Sequence, residues 1–273
     1  MLFFLNLIRG YAPFLNKSCK GGIIVCGIVG FWTNKELPIE PELAYEAIYS
    51  AFRKQQSRGT DSFGLFAYNE NEDKGYIKKV SSVLSIRKLF VKDGNLFLFH
   101  HRLSSIGKKT LKNQHPFLIN FKGKKLVVAH NGTWRDFEKF RFNYPVKGET
   151  DSETIGYLIA DDVSNLKLIS NSSLVWFDKN TGTLNFWRDY LKPMWLGYHR
   201  VSDTFLFAST FAAVKELSKI LFGQGVFGIF DEVLVVDTKE YELYSFFRKN
   251  SNLGVKRYIY QSYECNTLEI FTA

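Results

Sequence analysis

Cysteines are scarce in this sequence. Their number argues against a disulfide framework, and their spacing argues against a zinc site. The 273 residues include three cysteines, Cys19, Cys26 and Cys265. The odd number and the absence of a secretory signal argue against a disulfide framework and favour a reducing compartment. Cys19 and Cys265 do not belong to a Cys-x-x-Cys pair and do not lie at zinc-ligand spacing from a histidine. This spacing does not indicate a zinc site. We expect no metal, and we expect no other cofactor.

Long hydrophobic runs are also missing. The chain opens with an apolar run of about eight residues, whereas roughly 20 are needed to cross a bilayer. No basic stretch precedes this run and no small-x-small cleavage site follows it, so it is not typical of a signal peptide. We expect a cytoplasmic protein that does not bind membranes.

Acidic residues are fewer than basic ones, and the formal net charge is +9. The basic residues are scattered with acids between them, and no aromatic-basic stripe or nucleic-acid motif is present. We interpret the charge as a solvated surface with a weak preference for anionic partners, and we expect no nucleic-acid partner. A hydrophobic content of 45% is typical of an ordinary globular domain.

The hydrophobic patterns predict one α+β domain without repeats or linkers. Helical spacing is present at Glu42–Gln56, Ser81–Phe90, Thr150–Ala160 and Phe211–Leu221. Strands are expected at Ile23–Thr33, Phe63–Tyr68, Tyr76–Val80, Leu96–His101, Lys125–His130, Leu174–Asp178, Thr183–Arg188, Thr204–Ala208, Gly225–Phe230, Glu232–Asp237 and Glu242–Phe247. These elements predict mostly antiparallel sheets with helices packed outside, but they leave the order of the layers open.

Four polar clusters lie at strand ends or in loops, where functional sites are usually built. They are Arg58–Ser62, His100–Arg102, His130–Gly132 and Glu149–Glu153. Each is a weak signal by itself. An Asn-Gly pair is most often a plain turn, and a Thr-Asp-Ser-Glu run is most often a helix cap.

In combination and in chain order, the clusters resemble the class II glutamine amidotransferase domains, members of the N-terminal nucleophile hydrolases. The matching segments are Cys26–Gly30, Arg58–Gly64, His100–Gly107, Asn113–Phe117, His130–Gly132, Asp151–Glu153 and Phe207–Ser209. They are most similar to the glutaminase domains of glucosamine-6-phosphate synthase and amidophosphoribosyltransferase. The resemblance implies a four-layer αββα sandwich, with two mostly antiparallel sheets between helical layers.

The resemblance also implies a reaction and the residues that perform it. Cys26 would be the nucleophile that forms a glutamyl thioester, and the Asn131 amide and the Gly132 N–H would stabilise the oxyanion. Arg102 would bind the α-carboxylate of L-glutamine, and Asp151 would accept hydrogen bonds from its α-ammonium group. The products are ammonia and glutamate, and the expected partner is an ammonia-accepting synthase subunit.

Further residues at motif positions have less defined roles. Ser105 and His130 would belong to the substrate-binding set. Arg58 would order the loop over the site, and His115 would shape a wall, although for these two residues a purely structural role stays equally open. Two other functions also stay open: a γ-glutamyl amidohydrolase that acts on a γ-glutamyl compound, and a catalytically inactive binding or regulatory subunit.

The segment before Cys26 decides whether the expected mechanism can operate. A free α-amine has a pKa near 8 and could accept the thiol proton, whereas an amide nitrogen could not. We rank three explanations in order: a start assigned too early, since a GTG codon at Val25 can start translation; a propeptide; or a persistent extension on a non-working enzyme. We expect Met1–Val25 to be an extension and residues 26–273 to be a stand-alone amidotransferase domain, since about 50 residues after Leu221 are too few for an acceptor domain.

Overall fold

The computed structural model describes residues 26–223, 233–249, 252–261 and 264–270. Within these ranges the strands form two antiparallel sheets, as predicted. The predicted strand at Gly225–Phe230 lies outside the described residues, as do the first three residues of the predicted strand at Ile23–Thr33. No helix in the described part of the chain is long and apolar enough to cross a membrane.

The first sheet has the strand that follows Cys26 near its centre. In spatial order its described strands are Val233–Asp237 (β11), Trp195–His199 (β9), Thr204–Ala208 (β10), Gly27–Trp32 (β1), Leu96–Arg102 (β4), Ser62–Asn69 (β2) and Lys74–Val80 (β3). Strand β1 pairs with β4 so that Gly27 lies opposite His101. The start of β1 therefore lies beside the end of β4.

The second sheet carries the His-Asn-Gly segment. In spatial order its described strands are Glu264–Ile270 (β14), Asn252–Gln261 (β13), Glu242–Lys249 (β12), Thr183–Arg188 (β8), Ser172–Asp178 (β7), Lys124–Gly132 (β6) and Phe117–Phe121 (β5). Gly132, the last residue of β6, lies opposite Ser172 of β7. This register brings the His-Asn-Gly segment to one end of the sheet.

The two sheets pack face to face around an apolar core. Ile28 and Leu98 of the first sheet share one buried cluster with Val127, Ala129 and Phe186 of the second. Alternate residues of a strand point to opposite faces. Val29 and Phe31 of β1 accordingly belong to a different cluster, on the outer face of the first sheet.

Helices cover the outer faces of both sheets. Pro41–Arg53 (α1) and Phe211–Phe222 (α4) pack on the first sheet, and Asp151–Asp161 (α3) packs on the second. A one-turn helix, Glu138–Arg141 (α2), precedes α3. The order of layers is helix, sheet, sheet, helix, which confirms the four-layer αββα arrangement.

Some local predictions were wrong. The segment predicted as a helix at Ser81–Phe90 is a run of 3₁₀ turns over Val83–Leu89, with only Ile86 and Leu89 buried. Helix α1 ends at Arg53 rather than at Gln56, because the Gln55 side chain turns inward and donates to the Ile28 carbonyl, 3.1 Å away. Strands β5, β9, β13 and β14 were not predicted.

Candidate active site

Cys26 stands directly before β1, and its side chain is held against the end of β4. The thiol donates a hydrogen bond to the Leu103 carbonyl and accepts one from the Leu103 N–H, both at 3.3 Å between sulfur and the backbone atom. A Cβ on the next residue, Gly27, would collide with the His101 ring. Glycine at this position therefore allows the chain to carry Cys26 close to β4.

Burial determines the protonation state of the thiol. Cys26 is 7% exposed, and desolvation raises its pKa to about 11. The Leu103 hydrogen bond and the positive charges of Arg102 and Arg58 lower the pKa, and Asp151 raises it. The thiol is therefore protonated at neutral pH. Among the described residues its hydrogen-bond partners are backbone atoms of Leu103, which cannot take up the proton.

The end of β6 brings Asn131 and Gly132 to the same region. Asn131 is fully buried, and its Nδ2 donates to Ser209 Oγ at 3.2 Å. Ser209 Oγ also accepts from the Ile28 N–H at 3.0 Å, so Asn131 is tied to the strand that begins after Cys26. A Cβ on Gly132 would collide with the Asn171 carbonyl, and only glycine fits there.

Arg102 ends β4 and is 3% exposed. Its guanidinium donates to the carbonyl oxygens of Ile106 at 2.7 Å and Lys108 at 3.0 Å. The loop after β4 therefore curls around this side chain. Burial lowers the pKa of Arg102, and the neighbouring Cys26, Asp61 and Asp151 oppose that change.

Asp151 begins α3, and its carboxylate is buried and hydrogen-bonded. Oδ2 accepts from the Trp134 N–H at 2.8 Å, and Oδ1 accepts from the Ser152 N–H at 2.9 Å. The Nδ1 atom of His130 lies 3.9 Å from Oδ2. Burial lowers the pKa of His130 against the attraction of Asp151, which keeps the ring neutral at neutral pH.

The remaining predicted residues surround this group. Arg58 Nε donates to the Cys26 carbonyl at 3.1 Å, so Arg58 contacts the backbone of Cys26. Ser105 is exposed, and its Oγ accepts from Thr133 Oγ1 at 2.9 Å. The His115 ring packs against His100 with the ring centres 4.0 Å apart, and neither of its nitrogens has a hydrogen-bond partner among the described residues.

A narrow cavity, with room for only about 10 Å³, collects most of the predicted residues. Its lining residues are Cys26, Arg102, Leu103, Ser105, Ile106, His115, His130, Gly132, Thr150, Asp151 and Ser152. Two predicted residues contact the site from outside the cavity. Asn131 lies beside Gly132 at the end of β6, and Arg58 lies behind the Cys26 carbonyl.

Several supporting residues were missed by the sequence analysis. Gln55 Nε2 lies 3.0 Å from His101 Nε2, and His101 Nδ1 lies 2.9 Å from the Gly59 carbonyl. This buried network joins the end of α1 to the turn that carries Arg58. Ser209 belonged to a matched segment, but nothing in the sequence indicated that it would bond Asn131. Thr150 was interpreted as part of a helix cap.

The described side chains offer no alternative metal centre. In residues 26–223 and the three shorter described segments, no three His, Cys, Asp or Glu side chains lie close enough together to hold a metal ion. His130, which lines the cavity, instead bonds to protein groups: its Nδ1 lies 2.9 Å from Ser152 Oγ and its Nε2 lies 2.9 Å from Ser172 Oγ.

Residues 26–173 match the family model of the class-II glutamine amidotransferases. The chain belongs to this family. The matched range begins at Cys26 and contains Arg102, Gly132 and Asp151 of the cavity. The resemblance inferred from the motifs is thereby confirmed.

Curated relatives in this family are longer proteins. The glutamine–fructose-6-phosphate aminotransferase of Sulfolobus acidocaldarius is 31% identical over 144 residues, which cover 50% of this chain and 23% of the relative. The amidophosphoribosyltransferase of Archaeoglobus fulgidus is 27% identical over 211 residues, which cover 71% of this chain and 45% of the relative. The chain thus spans less than half the length of either protein.

A solved structure confirms the fold. The glutamine phosphoribosylpyrophosphate amidotransferase from B. subtilis superposes with a TM-score of 0.64 at 18% sequence identity. The match covers 88% of this chain and 50% of that one. The described β-sandwich and its outer helices are therefore shared with an amidotransferase of this family.

Proposed function

We propose that this protein is a glutaminase that releases ammonia from L-glutamine through a glutamyl thioester on Cys26. The observation that carries the proposal is the cavity in which Cys26, Arg102, Gly132 and Asp151 meet. A nucleophile, an oxyanion donor and two oppositely charged groups for an amino acid are the parts that hydrolysis of a side-chain carboxamide requires.

The proposed reaction starts with proton transfer from the Cys26 thiol to its own free α-amine. The thiolate forms a bond to the carboxamide carbon, and the carbonyl oxygen becomes an oxyanion. The oxyanion returns its electrons, the carbon–nitrogen bond breaks, and the nitrogen leaves as ammonia with the proton from the α-ammonium group. Water then attacks the thioester carbon and gives a proton to the amine. The carbon–sulfur bond breaks, glutamate is released, and the Cys26 thiolate takes the proton back from the α-ammonium group.

The oxyanion would be stabilised at the end of β6. The Gly132 N–H and the Asn131 side-chain amide are the proposed donors. Asn131 Nδ2 donates to Ser209 Oγ in this structure and would exchange that partner for the oxyanion. A single donor of this kind is typically responsible for a rate factor on the order of 100 or more.

The amino-acid end of glutamine would bind between Arg102 and Asp151. Arg102 would present its guanidinium to the α-carboxylate, which suits a planar fork. Asp151 accepts from two backbone N–H groups and would also accept from the α-ammonium group. This requires Arg102 to exchange at least part of its bonding to the Ile106 and Lys108 carbonyls for the substrate.

The active form in this proposal begins at Cys26, with residues 26–273 as the amidotransferase domain. A cytoplasmic enzyme that consumes ammonia would be its partner. Intact mass and N-terminal sequencing of the protein from its native source test this. Full glutaminase activity in a protein that retains Met1–Val25 would contradict the role of the α-amine.

A kinetic assay tests the nucleophile and the substrate. Cys26→Ala should abolish ammonia release, while the matched control Cys265→Ala should retain it. L-Glutamine should be hydrolysed faster than γ-glutamyl compounds with a substituted amide nitrogen. Unchanged activity in Cys26→Ala would refute the assignment of Cys26 as the nucleophile. Faster hydrolysis of the substituted compounds would show that L-glutamine is not the preferred substrate.

A further inference from the structure

Thr150 occupies the position that directly precedes α3. A threonine at such a position normally accepts a hydrogen bond from a backbone N–H in the first helical turn. Its backbone has the expected extended conformation, with φ −102° and ψ 147°. Its side chain nevertheless makes no capping hydrogen bond within the described structure. The residue has the right type and position for a cap, but it does not act as one.

Neighbouring carboxylates provide the hydrogen bonds at this end of the helix. Asp151 Oδ1 accepts from the Ser152 N–H at 2.9 Å. Glu153 reaches back and accepts from the N–H groups of Gly148 and Lys147. The Thr150 hydroxyl is therefore not required to hold α3 in place.

The hydroxyl is buried, and it belongs to a residue that lines the cavity. Thr150 is 2% exposed, and its Oγ1 has no hydrogen-bond partner among the residues that the structure describes. The residue lines the same cavity as Cys26, Arg102 and Asp151. A buried hydroxyl without a partner costs free energy, and a ligand that bonds to it recovers that cost.

We propose that the Thr150 hydroxyl is a substrate-binding group that hydrogen-bonds the charged amino-acid end of L-glutamine beside Asp151. A hydroxyl can donate to a carboxylate and accept from an ammonium group, so it suits either part of that end. This inference rests on the proposed function and deepens it. The substrate must then carry an unblocked α-amino acid end that fits between Thr150, Asp151 and Arg102.

The same helix offers a matched control. Thr154 lies one turn after Thr150, is fully buried, and also has an Oγ1 without a partner in the described part of the chain. It does not line the cavity. Replacement of either threonine by valine removes one buried, unpaired hydroxyl at nearly constant volume, and of the two residues Thr150 alone lines the cavity.

The test measures binding of L-glutamine to the full chain by titration calorimetry, in a Cys26→Ala background that prevents turnover. Thr150→Val should weaken binding by about 10- to 100-fold, as expected for a lost hydrogen bond to a charged group. Thr150→Ser, which keeps the hydroxyl, should bind close to the parent, and Thr154→Val should bind like the parent. Thermal unfolding without ligand should show Thr150→Val at least as stable as the parent.

The outcomes separate this inference from the proposed function. Parental binding in Thr150→Val, or equal weakening in Thr150→Val and Thr154→Val, would overturn the role of Thr150 and leave glutaminase activity standing. Absence of L-glutamine binding in the parent would contradict the proposed function, and this inference with it.

Discussion

The two ends of the cavity differ in the partners that their polar groups have in the described structure. We call Cys26, Leu103 and Gly132 the nucleophile end, and Arg102, Thr150 and Asp151 the recognition end. At the recognition end, buried charges already hold hydrogen bonds, since Asp151 accepts from two backbone N–H groups. At the nucleophile end, the thiol has a pKa raised to about 11 by burial, and its described partners cannot accept its proton.

The difference leads us to propose that recognition and reactivity have separate origins in this fold. The recognition end is built from the end of β4 and the start of α3. In the proposed mechanism the nucleophile end needs a base, and an N-terminal cysteine supplies one only if its α-amine is free. Substitutions at the two ends should therefore change different kinetic constants.

After the complete loss of activity expected in Cys26→Ala, the largest effect is expected at the recognition end. Arg102→Ala should lower kcat/KM for L-glutamine on the order of 1,000-fold, mainly by raising KM. The reason is that the α-carboxylate of the bound substrate loses its positively charged partner. Steady-state kinetics measure this, with exposed Arg135→Ala as the control. Arg102 also donates to the carbonyls of the loop after β4. The kcat/KM of Arg102→Lys should therefore lie between the values of the parent and of Arg102→Ala. An unchanged KM in Arg102→Ala would contradict the assignment.

A somewhat smaller effect is expected beside the nucleophile end. Asn131→Ala should lower kcat on the order of 100-fold or more with little change in KM, because an oxyanion donor acts in the transition state. Ser209→Ala, which removes the present partner of Asn131 Nδ2, should reduce kcat less. A change in KM alone would place Asn131 with the recognition residues and remove the distinction between the two ends.

The network beneath Cys26 should respond to acid. Burial lowers the pKa of His101 to about 4, so the folded protein keeps this ring neutral. Between about pH 6.5 and about pH 4 the unfolded chain binds a proton there and the folded chain does not, so the free energy of unfolding falls as pH falls, by up to about 3 kcal/mol. Urea unfolding across this range should show a shallower fall for His101→Gln. Identical pH dependence in both proteins would contradict the neutral ring.

The smallest predicted effect concerns the thiol itself. Because burial raises the pKa of Cys26 to about 11, its alkylation by iodoacetamide in the full chain should keep rising with pH up to that value. Mass spectrometry of the peptide that contains Cys26 measures the rate at each pH. In the unfolded chain the rate should reach half of its maximum near pH 8.5, the pKa of a free cysteine. A plateau near pH 8 in the folded protein would show that the thiol is already activated without a free amine.

Much of the fold followed from the sequence, because strands such as Thr183–Arg188 and Thr204–Ala208 are short, apolar and bounded by turn residues. Strand β9 was missed because Trp195–His199 contains Gly197, and its extended form depends on pairing with β10 and β11. The four-layer order came from the motifs rather than from periodicity, since patterns along a chain do not say which sheets face each other.

The sequence predicted the residues of the candidate site that lie within the matched motifs. Cys26, Arg102, Gly132 and Asp151 line one cavity, as the ordered clusters led us to expect. The contacts of Gln55 with His101 and of Ser209 with Asn131 join residues far apart in sequence, and only the folded chain reveals them. Thr150 was misinterpreted because its residue type suits a cap, whereas the competing carboxylates Asp151 and Glu153 decide the hydrogen bonding.

The most direct test of the central claim is to label the native protein with 6-diazo-5-oxo-L-norleucine and to locate the label by peptide mass spectrometry. The account predicts one label, on the sulfur of Cys26, in a chain whose first residue is Cys26, with loss of ammonia release in proportion to labelling. A label on another residue, or full labelling and activity in a chain that retains Met1–Val25, would contradict it.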